Sequence, residues 1–292
     1  MKPQLLKISL NPEHSFSARH DVVPVFYNKW HYHKEVELVC FVKGTGTQFI
    51  GYDIKHFKAG DMVLVGPNLP HMWGSDENHP SKKNKAGCES YVIHFLPDCF
   101  GQDFFNLPEN KSLVSLLDKA QRGLSIKGKT KESVLILMQE LLNSNSTERI
   151  ILLLQILNKI ATSKDQLFIC SKVYDTNFSE QDRDRLNDIY QYSMTNFSKP
   201  LKLEEIARVA NLAPNSFCRY FKSRTRKPFS KFLIELRINH ARKLLAETQK
   251  TVAEICSDCG YNSFSNFNKH FRLITNKTPL VHRKYYQEKS EG

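Results

Sequence analysis

Four residues near the start of the chain carry side chains suited to chemistry: His31, His33, Glu37 and His71. Imidazole and carboxylate donors in that mixture suit a divalent transition ion, and they equally suit the polar wall of a small-molecule pocket. Trp30, Tyr32, Phe41 and Trp73 lie nearby in sequence and offer faces on which a sugar ring can stack, or they are ordinary core aromatics. His20 and His94 carry no assigned role. The last third of the chain has different chemistry. Asn215, Ser216, Cys218, Arg219 and Lys222, then Ser265, Asn266, Asn268, Lys269 and Arg272, are hydrogen-bonding or cationic groups of the kind that touch nucleic acid. The Arg219 guanidinium can bond a guanine through two acceptors, and Asn215 can do the same for adenine. Lys222, Arg224, Arg226 and Lys227 suit phosphates. Cys256-x-x-Cys259 has the spacing of a metal or redox pair, but no second pair completes four ligands, and both thiols fall on an apolar stripe. They read as small core residues, and no residue is assigned a catalytic role.

The 292 residues are 40% hydrophobic and 25% charged, which fits a folded chain of about two domains and excludes disordered or fibrous classes. No apolar run nears the ~18 residues of a membrane span. The first residues lack the apolar stretch of a secretory signal, and seven scattered cysteines suit free thiols in a reducing cytoplasm. Of the net charge of +12, residues 181–292 hold +10, with 21 Lys and Arg against 11 Asp and Glu. A basic segment beside a nearly neutral one suggests a polyanion-binding module attached to something else.

The elements that must position these groups follow from the pattern. Residues 1 to about 97 read as short strands (Val36 to Val42, Gln48 to Ile50, Met62 to Val65) separated by turn chemistry such as Lys43-Gly44-Thr45-Gly46 and Gly66-Pro67-Asn68. That spacing predicts an antiparallel barrel or sandwich, with Ser75 to Gly87 as an exposed loop. Beyond Pro97 the apolar period becomes helical: Leu113, Leu116 and Leu117, then Val134, Leu135, Leu137, Met138, Leu141 and Leu142, then Ile150, Leu153, Leu154, Leu157 and Ile160. These stripes are either core or a dimer-forming surface, and the pattern does not choose between them. Asp175 to Asp184 reads as a linker. The expected division is 1–100, 101–180 as a helical linking or dimerising segment, and 181–292.

The last third contains a repeat. Leu203, Ile206, Ala207, Ala210 and Asn211-Leu212 match Val252, Ile255, Cys256, Cys259 and Gly260-Tyr261 at an offset of 49, and Phe217 and Phe221 match Phe267 and Phe271 at an offset of 50. Each copy has a short amphipathic helix, a residue suited to positive φ, and a second helix anchored by two Phe four apart. This is helix-turn-helix grammar. Between the copies Ser230, as N-cap, opens an amphipathic helix running to about Glu247, roughly 27 Å long at ~1.5 Å per residue. That strut suits two outward helices set near the ~34 Å turn of B-DNA.

Here the sequence resembles the AraC/XylS family of bacterial transcription regulators, from Leu201 to about Tyr286. The motifs are Leu203-x-x-Ile206-Ala207, Phe217-x-Arg219-x-Phe221-Lys222, Arg237-x3-Ala241-x2-Leu244-Leu245, Ile255-x4-Gly260-Tyr261, Phe264-Ser265-x-Phe267-x3-Phe271-Arg272 and Thr278-Pro279. It departs from the family near Arg226, where Gly is usual, and at Cys256, commonly Ala. The outward residues named above fall at the family's DNA-contacting positions. In the first third, His31-x-His33-x3-Glu37-x6-Gly44 and Gly60-Asp61-x5-Pro67-x3-His71 look like the two motifs of the cupin barrel, with the second motif's Pro displaced by one. Cupins gather such residues around a metal, whereas cupin-like domains fused to AraC-type domains generally sense small molecules. The pocket reading is preferred, and no metal or other cofactor is assigned.

The resemblances together imply an α+β chain: an N-terminal antiparallel β-barrel (cupin-like), a helical segment, and an all-α double helix-turn-helix domain. The function expected is a non-enzymatic, cytoplasmic, effector-controlled transcriptional regulator. Its expected partners are promoter DNA, a small-molecule effector of carbohydrate type, RNA polymerase and a second copy of itself, with no membrane. The alternative is a metal-dependent cupin enzyme with a DNA-binding tail. A general nucleic-acid packager is disfavoured by the repeat.

Overall fold

The computed structural model describes residues 4–8, 13–26, 29–51, 53–75, 87–101, 103–170, 180–225 and 227–288. Most of the expected loop at Ser75 to Gly87, the first part of the expected linker and Arg226 lie outside these. The chain divides into two units, residues 3–177 and 178–292.

The first unit has eleven described strands: β1 (Gln4–Leu5), β2 (Phe16–Val23), β3 (His31–Tyr32), β4 (Val36–Lys43), β5 (Gly46–Ile50), β6 (Asp53–Phe57), β7 (Met62–Val65), β8 (His71–Ser75), β9 (Cys88–Phe95), β10 (Leu124–Ile126) and β11 (Gln166–Phe168). They form one sheet in the order β1-β3-β8-β5-β6 and another in the order β11-β10-β7-β4-β9-β2. The antiparallel pattern expected from the turns is present, apart from the short parallel pair β1–β3. The hydrogen-bonded ladders make two facing sheets and no closed ring among the described residues. Their inner faces meet where Phe41 of β4 stacks on Phe57 of β6, ring centroids 4.1 Å apart.

Strand β4 is buried on both sides, which is why it reads as a nearly unbroken apolar run. Val36, Leu38 and Cys40 point one way, into a core with Met62, Leu64, Ile93 and Phe95. Three helices close that core: α1 (Lys111–Ala120), α2 (Gly128–Asn143) and α3 (Ser146–Ala161). Leu116, Met138, Leu153, Leu157 and Ile160 fill it. The helices expected to form a segment of their own are thus the outer layer of the first unit. Glu37, Val39 and Phe41 point the other way, between the sheets. One glutamate in an apolar strand is therefore delivered to the interior.

The second unit is helical: α4 (Glu180–Asn196), α5 (Leu203–Val209), α6 (Pro214–Thr225), α7 (Phe229–Glu247), α8 (Val252–Asp258), α9 (Phe264–Thr275) and α10 (Pro279–Glu288). Helix α7 starts one residue before Ser230, after an extended Pro228, so Ser230 is not its cap. Proline supplies the break there, since its ring disfavours helical backbone in the residue before it. The repeat is written in the backbone. Leu212 N donates to Ala207 O and Asn211 N to Arg208 O, both at 2.9 Å. Their counterparts, offset by 49, are Tyr261 N to Cys256 O at 3.1 Å and Gly260 N to Ser257 O at 2.8 Å. Asn211 and Gly260 take φ of 52° and 73°. At the far end of α6, the Thr225 hydroxyl donates to Phe221 O and Lys227 O. Thr275 does the same at the end of α9, to Phe271 O and Lys277 O. The duplication therefore runs on into the third helix, α7 in one copy and α10 in the other.

Candidate functional site

Two sites emerge, one in each unit. Between the sheets of the first lies a cavity of about 420 Å³. Its polar wall includes Arg19, Asp21, His31, Glu37, Ser90 and His94, and its apolar wall includes Phe26, Phe41 and Trp73. Of the six residues expected to line a pocket, His31, Glu37 and Trp73 do so. His33, His71 and Trp30 are buried behind the wall. Arg19, Asp21 and His94 line it as well, a place that the sequence pattern does not assign them. Strand pairing places His94: on β9 it lies directly opposite Glu37 on β4.

The donors of His31, His33, Glu37 and His71 all lie within 4.8 Å of one another, and all four residues are buried. Strand β3 sets His31 across from His71 on β8. In His31, His33 and His71 the Nδ1 atom faces a backbone carbonyl, of Lys29, Glu35 and Leu69, at 2.8 to 3.0 Å. A carbonyl only accepts, so those nitrogens carry the proton and donate. The Nε2 atoms of His33 and His71 then face a second acceptor, Glu37 Oε2, at 3.1 and 3.2 Å. Burial raises the Glu37 carboxyl, but His71, with hydrogen bonds to His33, His71 and His94, outweighs that and holds it well below its ordinary value. Burial, aided by the neighbouring His71, lowers His31 to about 3, so its ring is neutral. A neutral imidazole cannot donate from both nitrogens. The His33 and His71 rings stand with centroids 4.9 Å apart, their Nε2 atoms converging on one carboxylate oxygen. The residues fit a divalent metal, which would supply a Lewis-acidic centre at the cavity wall.

In the second unit Phe217, Phe221, Phe267 and Phe271 are completely buried. This fixes the rotation of α6 and α9. Asn215, Cys218, Arg219 and Lys222 are exposed on one face of α6, and Ser216 is half-buried beside them. Ser265, Asn266, Lys269 and Arg272 are exposed on α9, with Asn268 half-buried. At the offset of 50, Asn215 corresponds to Ser265, Cys218 to Asn268, Arg219 to Lys269 and Lys222 to Arg272. One of the expected phosphate contacts is corrected. Lys227 is tied to Glu235 at 2.8 Å with its side chain only 13% exposed, and it serves the fold. Arg224 pairs with Asp182 at 2.7 Å while its side chain stays 36% exposed. Cys256 and Cys259 lie in the core of the second copy, and burial raises both thiols. Arg237 of α7 joins the segment before α5 to the second copy: its guanidinium donates to the carbonyls of Phe197 and Lys199 at 2.8 and 2.9 Å and lies 5.5 Å from the Tyr261 ring centroid.

Comparison with known proteins decides the lineage. Residues 15–144 match the description "AraC-like ligand binding domain", and residues 206–285 match "Helix-turn-helix domain". The chain belongs to the AraC family. Among its relatives is the uncharacterized HTH-type transcriptional regulator YdeC of Bacillus subtilis (strain 168), 29% identical over 100 residues. That match spans 34% of this chain and 34% of the relative's own length. Two others are similar over most of their length. The HTH-type transcriptional activator RhaR of Mannheimia succiniciproducens is 23% identical over 89% of this chain and 88% of its own. The lactose operon transcription activator of Staphylococcus xylosus is 23% identical over 85% of each. Among the described residues no helix is long and apolar enough to cross a membrane.

Proposed function

We propose that this AraC-family chain is a sequence-specific DNA-binding transcriptional regulator whose state is set by a small molecule held in the cavity of the first unit. The observation that carries the reading is the pair of matching solvent faces on α6 and α9, each with a cation at the same position, Arg219 and Lys269. Asn215, Ser216, Cys218, Arg219 and Lys222 read one half-site. Ser265, Asn266, Asn268, Lys269 and Arg272 read another, about one helical turn away. Trp73 and Phe41 on the cavity wall, with the name of the lactose operon transcription activator, support a carbohydrate-type effector. The chain acts as a homodimer in the cytoplasm alongside RNA polymerase, and its first unit senses and does not catalyse. The donor cluster around Glu37 favours the alternative, a metal-dependent enzyme. Because the relatives are regulators, we assign it to sensing.

The test is selection of binding sites from a pool of random duplexes, followed by anisotropy titration against scrambled competitors. The expected result is two conserved half-sites about 10 base pairs apart. Equal affinity for selected and scrambled duplexes would overturn the reading.

A further inference from the structure

One large apolar side chain of the second copy stands outside its core. Phe264 opens α9 and is 49% exposed, while Phe267 and Phe271 of the same helix are completely buried. Ser263 fixes its place. The Ser263 hydroxyl caps the helix by accepting from Asn266 N at 3.3 Å, which makes Phe264 the first helical residue. The ring leans toward Phe267, centroids 6.3 Å apart, and about half of the residue is left to solvent. It shares one concave face with Asn268, Lys269 and Arg272, the groups already placed toward DNA. The first copy has no such ring. At the offset of 50 the matching residue is Pro214, which is half-buried.

We propose that Phe264 is a specificity-determining residue whose ring packs on the 5-methyl group of a thymine in the half-site read by α9. The inference rests on the proposed function. The first residues of a recognition helix are those that meet base edges in the major groove. A phenyl ring has neither donor nor acceptor, so it reads no hydrogen-bonding pattern there. Its faces carry negative charge density, so a phosphate is no partner for them. The major-groove edges of the four base pairs offer one apolar group, the thymine methyl, and the ring can take that group out of water. Asn268 and Lys269 beside it supply the polar contacts. The two copies therefore read different chemistry. In α6 the reading is polar and centred on Arg219, whereas α9 adds an aromatic contact where α6 has Pro214.

The duplex selected by the full chain is remade with each thymine replaced singly by deoxyuridine, which removes the methyl group and keeps the base pairing. Anisotropy titrations at one salt concentration compare the wild-type chain with Phe264→Ala and Phe264→Leu. The half-site of α9 is the one whose base preference Arg219→Ala leaves intact. At one thymine there, uracil should weaken the wild-type chain about fourfold, the worth of one apolar carbon taken out of water. Phe264→Ala should bind the thymine duplex more weakly than wild type and no longer distinguish thymine from uracil at that position. Phe264→Leu should keep part of the discrimination. Placing 5-methylcytosine rather than cytosine at the same position should strengthen binding by the wild-type chain and not by Phe264→Ala. Three results overturn the proposal: uracil tolerated at every thymine of that half-site, Phe264→Ala weakening thymine and uracil duplexes by the same factor, or a selected half-site for α9 that contains no thymine. A chain that selects duplexes but gives any of these loses the methyl contact and remains a regulator. A chain that selects no duplex overturns both readings at once.

Discussion

Arg219 and Lys269 occupy the same place in the two copies of the repeat, yet their chemistry differs. A guanidinium presents a planar fork that meets guanine O6 and N7 together, whereas an ammonium is a point charge with no such geometry. Arg219→Ala should therefore cost about 1–3 kcal/mol on the preferred duplex and relax the preference at one base pair. Lys222→Ala should weaken binding to every duplex and lower the salt slope by about one. Anisotropy titrations over a panel of single-base variants separate the two. A uniform loss from Arg219→Ala would cancel the division between base reader and phosphate anchor. The face that carries these residues was legible in the sequence, because two phenylalanines four apart fix a helix's rotation. His94 was not legible. Its partner Glu37 lies 57 positions away, and only the β4–β9 pairing brings them opposite. Lys227 misled for a related reason: a cation next to a recognition helix looks free until Glu235 is placed beside it.

At the scale of elements, the two turns test the equivalence of the copies. Gly260 and Asn211 both need left-handed backbone, but a Cβ on Gly260 would stand 2.8 Å from the carbonyl oxygens of Phe197 and Ser198. Gly260→Ala meets both the αL penalty of about 1–2 kcal/mol and that collision, so urea unfolding should reveal a loss of at least 2 kcal/mol by order of magnitude. Asn211→Gly should stay within about 1 kcal/mol, since asparagine already tolerates the region. The period-49 pattern made these turns visible beforehand. The sequence left open whether the stripes on α1 to α3 were core or interface, because periodicity marks an apolar face without saying what covers it. Leu153, Leu157 and Ile160 went to the core, while Ile150 and Ile151 stay 38% and 44% exposed. If the proposed homodimer uses that face, Ile150→Glu with Ile151→Glu should convert it to monomer in sedimentation velocity without lowering Tm. An unchanged sedimentation coefficient would place the interface elsewhere.

The whole molecule is two units with separate cores, and the charge follows that division: +10 of +12 lies in residues 181–292. Regulation by a small molecule requires that it bind two states of the protein with different affinity, since equal binding shifts no equilibrium. Each unit must therefore be able to do its own part. The second has its own buried clusters, duplicated turns and the Arg237 clasp, none of which uses a residue of the first. Residues 178–292 expressed alone should fold and retain the duplex preference of the full chain. Their affinity should fall by ~10³ or more between 50 and 200 mM salt if at least six phosphates are contacted. Effector should leave that affinity untouched, whereas the full chain should respond to it. A fragment that folds yet answers to effector as the full chain does would mean that the sensing groups lie among its own helices. The cavity around Glu37 would then need another purpose.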